Sequence, residues 1–149
     1  MALEIERKFL VKGSFQHMAV KNVRIRQAYL SVDPERTVRL RIAGEKALLT
    51  IKSDPTTGSF TRMEWEFELS VGDAEEIMNI CIPGKIHKTR YYVPCGKFTY
   101  EVDVFHDKNE GLIIAEIELS AESEVFEKPE WLGEEVTDNP AYYNVNLIK

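Results

Sequence analysis

The run Leu3-Glu4-Ile5-Glu6-Arg7-Lys8-Phe9-Leu10-Val11 alternates with a period of two. Read as a strand, it places Glu4, Glu6 and Lys8 on one face and Leu3, Ile5, Arg7, Phe9 and Val11 largely on the other. Two acids and a base then share a face, which for one isolated strand describes no more than a solvated surface. The later segments repeat the design, so the pattern belongs to the whole sheet.

Working outward, Arg24 to Val32 reads as a second strand, and Asp33-Pro34-Glu35 as a turn in which proline presets φ. Arg36 to Ala43 sets Thr37, Arg39 and Arg41 against Val38, Leu40 and Ile42. Gly44-Glu45 is a two-residue hairpin turn with glycine first. Lys46 to Ser53 returns with Leu48, Thr50 and Lys52 on one face. After the loop Asp54 to Gly58, Phe60 to Leu69 alternates Arg62, Glu64, Glu66 and Glu68 with Met63, Trp65, Phe67 and Leu69.

The period changes at Val71 to Cys81, where Ala74, Ile77, Ile80 and Cys81 form a helical stripe. Strand periodicity resumes at Ile86 to Val93 (Lys88, Arg90, Tyr92), then at Lys97 to Phe105 (Glu101, Asp103) and Leu112 to Leu119 (Glu116, Glu118), with Pro94-Cys95-Gly96 as a turn. Gly13 to Lys21 is a connection with a short helical turn. Glu122 to Lys128 is expected to form a short helix, and Asn139-Pro140 to cap a last helix through about Leu147. Seven or eight mainly antiparallel strands with two or three peripheral helices predict a single α+β domain over residues 1–149, built as a barrel.

The 149 residues are 44% hydrophobic and 30% charged. No apolar run approaches the ~20 residues needed to span a bilayer, and the N-terminus lacks a secretory h-region, so the chain is expected in the cytosol. Cys81 and Cys95 lack metal-ligand spacing and are expected as free thiols. The net charge of −6 argues against nucleic-acid or membrane-surface binding through a general basic field. Any anion site must be local and enclosed. No heptad or other interface signature is visible, which leaves a monomer or a homodimer.

If the charged faces point into the barrel, the lumen carries Glu4, Glu6, Glu64, Glu66, Glu101, Asp103, Glu116 and Glu118 with Lys8, Arg39, Arg41, Lys52, Lys88 and Arg90. Two carboxylates ~5 Å apart repel by roughly 3 kcal/mol at an effective dielectric of ~20, so the acids need cations. The natural division is an acidic end for a metal and a basic end for a polyanion. Oxygen-only ligands favour Mg²⁺ or Mn²⁺, and fixed guanidinium groups suit phosphate. The opposite orientation, with charges outside and Leu3, Ile5, Phe9, Trp65, Phe67 and Ile117 packed within, is chemically acceptable too. Periodicity alone leaves both open.

Glu4-Ile5-Glu6-Arg7-Lys8 resembles the ExExK signature of the CYTH superfamily, the triphosphate tunnel metalloenzymes. Arg39-x-Arg41, Thr50-Ile51-Lys52, Glu64-x-Glu66, Lys88-Thr89-Arg90-Tyr91, Glu101-x-Asp103 and Glu116-x-Glu118 follow in that family's order. The tail Trp131 to Thr137 is similar to the closing segment of its short bacterial members. The resemblance implies an eight-stranded antiparallel tunnel with the charges inside. By the same resemblance, Glu4, Glu6, Asp103, Glu116 and Glu118 would hold metal, and Lys8, Arg39, Arg41, Lys52, Lys88 and Arg90 would grip a triphosphate. Glu64 and Glu66, together with Lys8, are the candidates for catalytic work.

The expected activity is metal-dependent hydrolysis of inorganic tripolyphosphate, a small molecule, since the chain carries little beyond the tunnel. The alternatives are a class IV-type adenylyl cyclase, a thiamine or nucleoside triphosphatase, and a non-catalytic polyphosphate sensor. Tyr29 is expected either in the tunnel or in packing. His17, His87 and His106 are read as structural or solvent-facing, and Tyr142 and Tyr143 as covering a tunnel end.

Overall fold

A computed structural model describes residues 1–56 and 58–149. Its strands are β1 (Ala2–Val11), β2 (Lys21–Ser31), β3 (Thr37–Ala43), β4 (Lys46–Lys52), β5 (Thr61–Leu69), β6 (Ile86–Cys95), β7 (Phe98–Phe105), β8 (Ile113–Glu118) and β9 (Leu132–Glu135), with one α-helix, α1 (Val71–Met78). Hydrogen bonding runs β5-β4-β3-β2-β6-β7-β8-β1-β9, and a further β1–β5 ladder closes β1 to β8 into an eight-stranded antiparallel barrel. β1 is therefore shared by three partners. Its first half pairs β5, its second half pairs β8, and its last residues also pair β9.

The charged faces point inward. The apolar faces lie outside, where three coverings bury them. α1 sets Ala74 and Met78 over Ala28, Leu40, Ile42 and Ala47. The segments around Phe15 and Phe126 to Leu132 cover Ile5, Phe9, Val102, Ala115 and Ile117. Each large side chain buried in this way contributes roughly 1.5–3 kcal/mol, so the outer coverings carry the stability that a conventional small barrel draws from its centre. Leu3, Met63 and Phe67, on β1 and β5, stay exposed.

The lumen is not charged throughout. At the end where β6 begins and β7 ends, the inward residues are Tyr29, Ile86, Phe105 and Ile114, and the C-terminal segment lays Val145, Leu147 and Ile148 over them. Gly84 permits this covering. It has φ +101°, and a Cβ there would lie 2.1 Å from the Ile148 carbonyl oxygen.

The Gly44 turn has the expected glycine-first form, with φ +60° at Gly44, and Arg36 N donates to Asp33 O to close the Asp33 turn. The expected 54–58 loop connects β4 to β5, with Thr57 outside the described residues.

Several helical expectations give way. α1 stops at Met78 and leaves Ile80 exposed, because the chain turns at Asn79 so that Ile82 N can donate to Tyr29 O. Glu122 to Lys128 forms no helix. Glu122 instead accepts from the Ser59 and Thr61 hydroxyls, and Glu124 from Ser120 N. Asn139 caps as expected, its Oδ1 accepting from Ala141 N, but only two 3₁₀ turns follow, Pro140–Tyr142 and Asn144–Asn146. Tyr143, at ψ 132°, breaks the helix between them. Pro94 and Cys95 belong to β6, and the turn is Gly96-Lys97. Pro94 is tolerated because β2 pairs β6 only as far as Tyr92.

Candidate active site

Register brings the charges together. Lys8 lies opposite Glu116, Glu6 opposite Glu118, Lys52 opposite Glu64, Thr50 opposite both Arg39 and Glu66, and Arg90 opposite Asp103. Of the predicted lumen residues, all but Lys88 and Asp103 line one cavity of about 420 Å³. Those two are buried behind it, with Lys88 Nζ 2.8 Å from Asp103 Oδ2. β1 and β5 set Arg62 opposite Glu4, with Glu64 on one side of that level and Glu6 and then Lys8 on the other, so neither sign has an end of the barrel to itself.

In the middle the signs interleave. Lys8 Nζ donates to Glu116 at 2.9 Å, Lys52 Nζ to Glu4 at 2.5 Å, and Arg90 forks onto Asp103 at 2.7 and 2.9 Å. Arg90 also reaches Glu101 at 3.2 Å and Glu116 at 3.3 Å. Three cations differ. Among the described residues Arg39, Arg41 and, at the cavity's edge, Arg62 have no carboxylate partner. Arg39 Nη2 meets only Thr50 Oγ1 at 3.3 Å, and Arg41 only the Gln27 side-chain oxygen.

Burial and crowding displace the protonation equilibria in opposite senses. Burial, with Glu116 and Glu4 nearby, holds Glu6 well above the usual carboxylate range. Burial, with Glu4 and Glu66 overriding Lys52, lifts Glu64 to about 7. Glu118 is raised by burial and by Glu4 and Glu101. Burial also opposes ionisation of Glu4, Asp103 and Glu116, but the adjoining Lys52, Arg90 and Lys8 outweigh it and hold all three low. Among the bases, burial with Arg39 and Arg90 alongside brings Arg41 down to about 9, and burial brings Lys88 to about 7 despite Asp103.

Carboxyl groups touch twice. Glu64 lies against Glu4, and Glu6 against Glu116, and in each pair the neighbour's charge disfavours ionisation of Glu64 and of Glu6. Carboxylates crowded in this way share protons rather than all ionise together. Among the described residues no three Asp, Glu, His or Cys side chains already converge as a metal shell; lysine ammonium groups stand between them. The donors are all oxygen, and Glu4, Glu6, Glu64, Glu116 and Glu118 suit a hard divalent cation that replaces shared protons.

Two participants escaped the reading of the sequence, and two that it named, Thr50 and Tyr143, have partners it did not foresee. Gln27 and Asn144 are neutral and carry no charge pattern. Thr50 bridges Arg39 and Glu66 at 3.3 and 3.2 Å. Tyr143 sits under the Arg62 guanidinium, 5.7 Å from its ring centre, at the cavity's edge. Tyr29 is both things foreseen for it: it lines the cavity and packs against the apolar end. None of the three histidines lines the cavity. Both cysteines are free.

The CYTH domain model matches residues 2–146. An inorganic triphosphatase of Acetivibrio thermocellus is 45% identical over 150 aligned positions, covering 100% of this chain and 95% of that one. An inorganic triphosphatase of Nitrosomonas europaea is 35% identical, covering 97% and 95%. A crystal structure of an inorganic triphosphatase superposes with a TM-score of 0.66 at 32% identity, covering 97% of both chains. No helix among the described residues is long and apolar enough to cross a membrane. With the barrel closed, the charges inside it and the match running from Ala2 to Asn146, the chain belongs to the CYTH family.

Proposed function

We propose that this chain hydrolyses inorganic tripolyphosphate to pyrophosphate and phosphate in a divalent-metal-dependent reaction, with Mg²⁺ or Mn²⁺ as the ion. The observation that carries the reading is the pair Arg39 and Arg41: two inward guanidinium groups without carboxylate partners, in the same cavity as a crowded set of acids. A polyanion supplies what the arginines lack, and a cation what the acids lack. The names of the two relatives support the choice of substrate.

Glu4, Glu6, Glu116 and Glu118 would hold the ion, with Asp103 steadying the bases behind them. When bound, the ion neutralises charge on the phosphate oxygens. Arg39, Arg41, Lys8 and Lys52 bind and align the phosphates, while Lys88 and Arg90 back them from the cavity wall. Catalysis of this kind is chiefly positioning and electrostatics. Glu64, held at about 7, is poised to take a proton from the attacking water near neutral pH; Glu66, beside it on β5, is the second candidate.

The test is phosphate release from tripolyphosphate, ATP and thiamine triphosphate, each with Mg²⁺, Mn²⁺ or chelator, with products identified. Metal-dependent cleavage favouring tripolyphosphate is expected. Cyclic AMP from ATP would place the chain among cyclases, and tight binding of tripolyphosphate without turnover would make it a sensor.

A further inference from the structure

Two amides link Arg41, which lines the cavity, to Lys88, which is buried behind it. Gln27, wholly buried on β2, turns its side-chain oxygen to Arg41, accepting from Nε at 3.3 Å and Nη2 at 3.2 Å. Its Nε2 donates to Asn144 Oδ1 at 2.9 Å, and the same oxygen accepts from Lys88 Nζ at 2.8 Å. Each amide therefore has a forced orientation. Rotating Gln27 would point its NH₂ at a guanidinium, and rotating Asn144 would point its NH₂ at an ammonium.

The geometry points to Gln27, itself held by Asn144, as a charge-neutral positioning residue that fixes Arg41 for a polyanionic substrate without cancelling its charge; Lys88, on the far side of Asn144, is ion-paired to Asp103. The other cations of the cavity show the contrast. Lys8, Lys52 and Arg90, and Lys88 behind them, are oriented by carboxylates, which hold a base firmly but subtract its charge from what a phosphate meets. An amide oxygen fixes the guanidinium through its dipole alone. Arg41 lines the cavity while Gln27 does not, so Gln27 acts through Arg41. Asn144 comes from the C-terminal segment, so that segment belongs to the phosphate-binding apparatus as well as to the packing of the barrel end.

This inference rests on the proposed triphosphate reading and has its own test. Gln27→Glu is close to isosteric and adds one negative charge beside Arg41; Gln27→Met removes the hydrogen bonds and adds none. Asn144→Asp adds the negative charge one step further along, beside the Gln27 amide and Lys88, at the cavity lining. Steady-state kinetics on tripolyphosphate would be measured for the intact chain and all three variants, with thermal melts to establish folding. The expected result is a KM for Gln27→Glu at least tenfold above wild type, with kcat moved less, and a smaller rise for Gln27→Met. Asn144→Asp should raise KM in the same sense, which keeps the test open if Gln27→Glu does not fold. A KM for both charged variants within twofold of wild type overturns the inference, as does Gln27→Met raising KM as far as Gln27→Glu does. Wild-type protein that neither binds nor cleaves tripolyphosphate defeats the underlying reading instead.

Discussion

Arg39 and Thr50 face each other across the β3–β4 ladder, and the Thr50 hydroxyl, 3.3 Å away, is the partner of the Arg39 guanidinium, whose buried Nε is left without one among the described residues. An unpaired buried donor is costly, and it becomes useful when a ligand pairs it. Thr50 passes the contact on to Glu66, which ties the basic side of the cavity to the acidic side.

A hydrogen bond involving a charged group is worth about 1.5–3 kcal/mol, so Arg39→Ala should lower kcat/KM for tripolyphosphate by roughly 10- to 100-fold. Arg39→Lys should fall between, since it keeps the charge and loses the fork. Steady-state kinetics on the two variants, with melting temperatures as the control for folding, checks this. Equal rates for Arg39→Lys and wild type would remove the fork from the account.

The Glu64 shift gives a pH dependence of unusual sign for a carboxylate. Its folded value of about 7 lies above the usual 4.5, so the folded chain keeps a proton that the unfolded chain releases. That stabilisation is complete below about pH 4.5 and is lost as pH rises through about 7. Thermal melts of metal-free protein between pH 5 and 8 should fall more steeply for wild type than for Glu64→Gln. Added Mg²⁺ should flatten the wild-type slope, as the cation takes over from the proton.

Replacing Glu4 and Glu6 by glutamine removes two crowded carboxylates without changing shape. Metal stabilisation of developing charge is worth several kcal/mol, so turnover of tripolyphosphate should fall on the order of a thousandfold. Titration calorimetry with Mn²⁺ should show weakened binding in the same variant. Near-wild-type turnover would refute the metal assignment.

Gly84→Ala tests the covering of the barrel end. The added methyl meets the Ile148 carbonyl oxygen in a backbone conformation that L-residues rarely adopt. Overpacking costs typically about 1–3 kcal/mol, so the melting temperature should drop by several degrees. KM for tripolyphosphate should rise as well, because Asn144 moves with the segment. An unchanged KM beside a lowered melting temperature would separate the covering from the binding apparatus.

The barrel was legible because its charges repeat every second residue on strand after strand, from Glu4-x-Glu6 to Glu116-x-Glu118. Orientation was not, since Ile5, Phe9 and Ile117 would fill a lumen as readily as they cover an outer face; the ordered motifs decided it, and the structure agrees. β9 was hidden by Gly133, which reads as a breaker. It is there because a Cβ would lie 2.9 Å from the Leu10 carbonyl oxygen, where β9 crosses close to β1. The C-terminal helix failed because capping signals describe how a helix starts, whereas Tyr143 and Asn144 are held by long-range contacts with Arg62, Lys88 and Gln27. Neutral residues that orient charged ones leave no periodic trace at all.

The triple partnership of β1 bears on how the protein comes to be folded. β1 emerges first, yet its ladder with β8 joins positions more than a hundred residues apart, and such long loops are entropically slow to close. Until β8 arrives, Glu4, Glu6 and Lys8 lie on a strand with an open edge. The candidate metal ligands are therefore assembled only when the ring shuts, so the ability to bind a cation should appear late in refolding and report closure of the barrel more faithfully than the recovery of strand content.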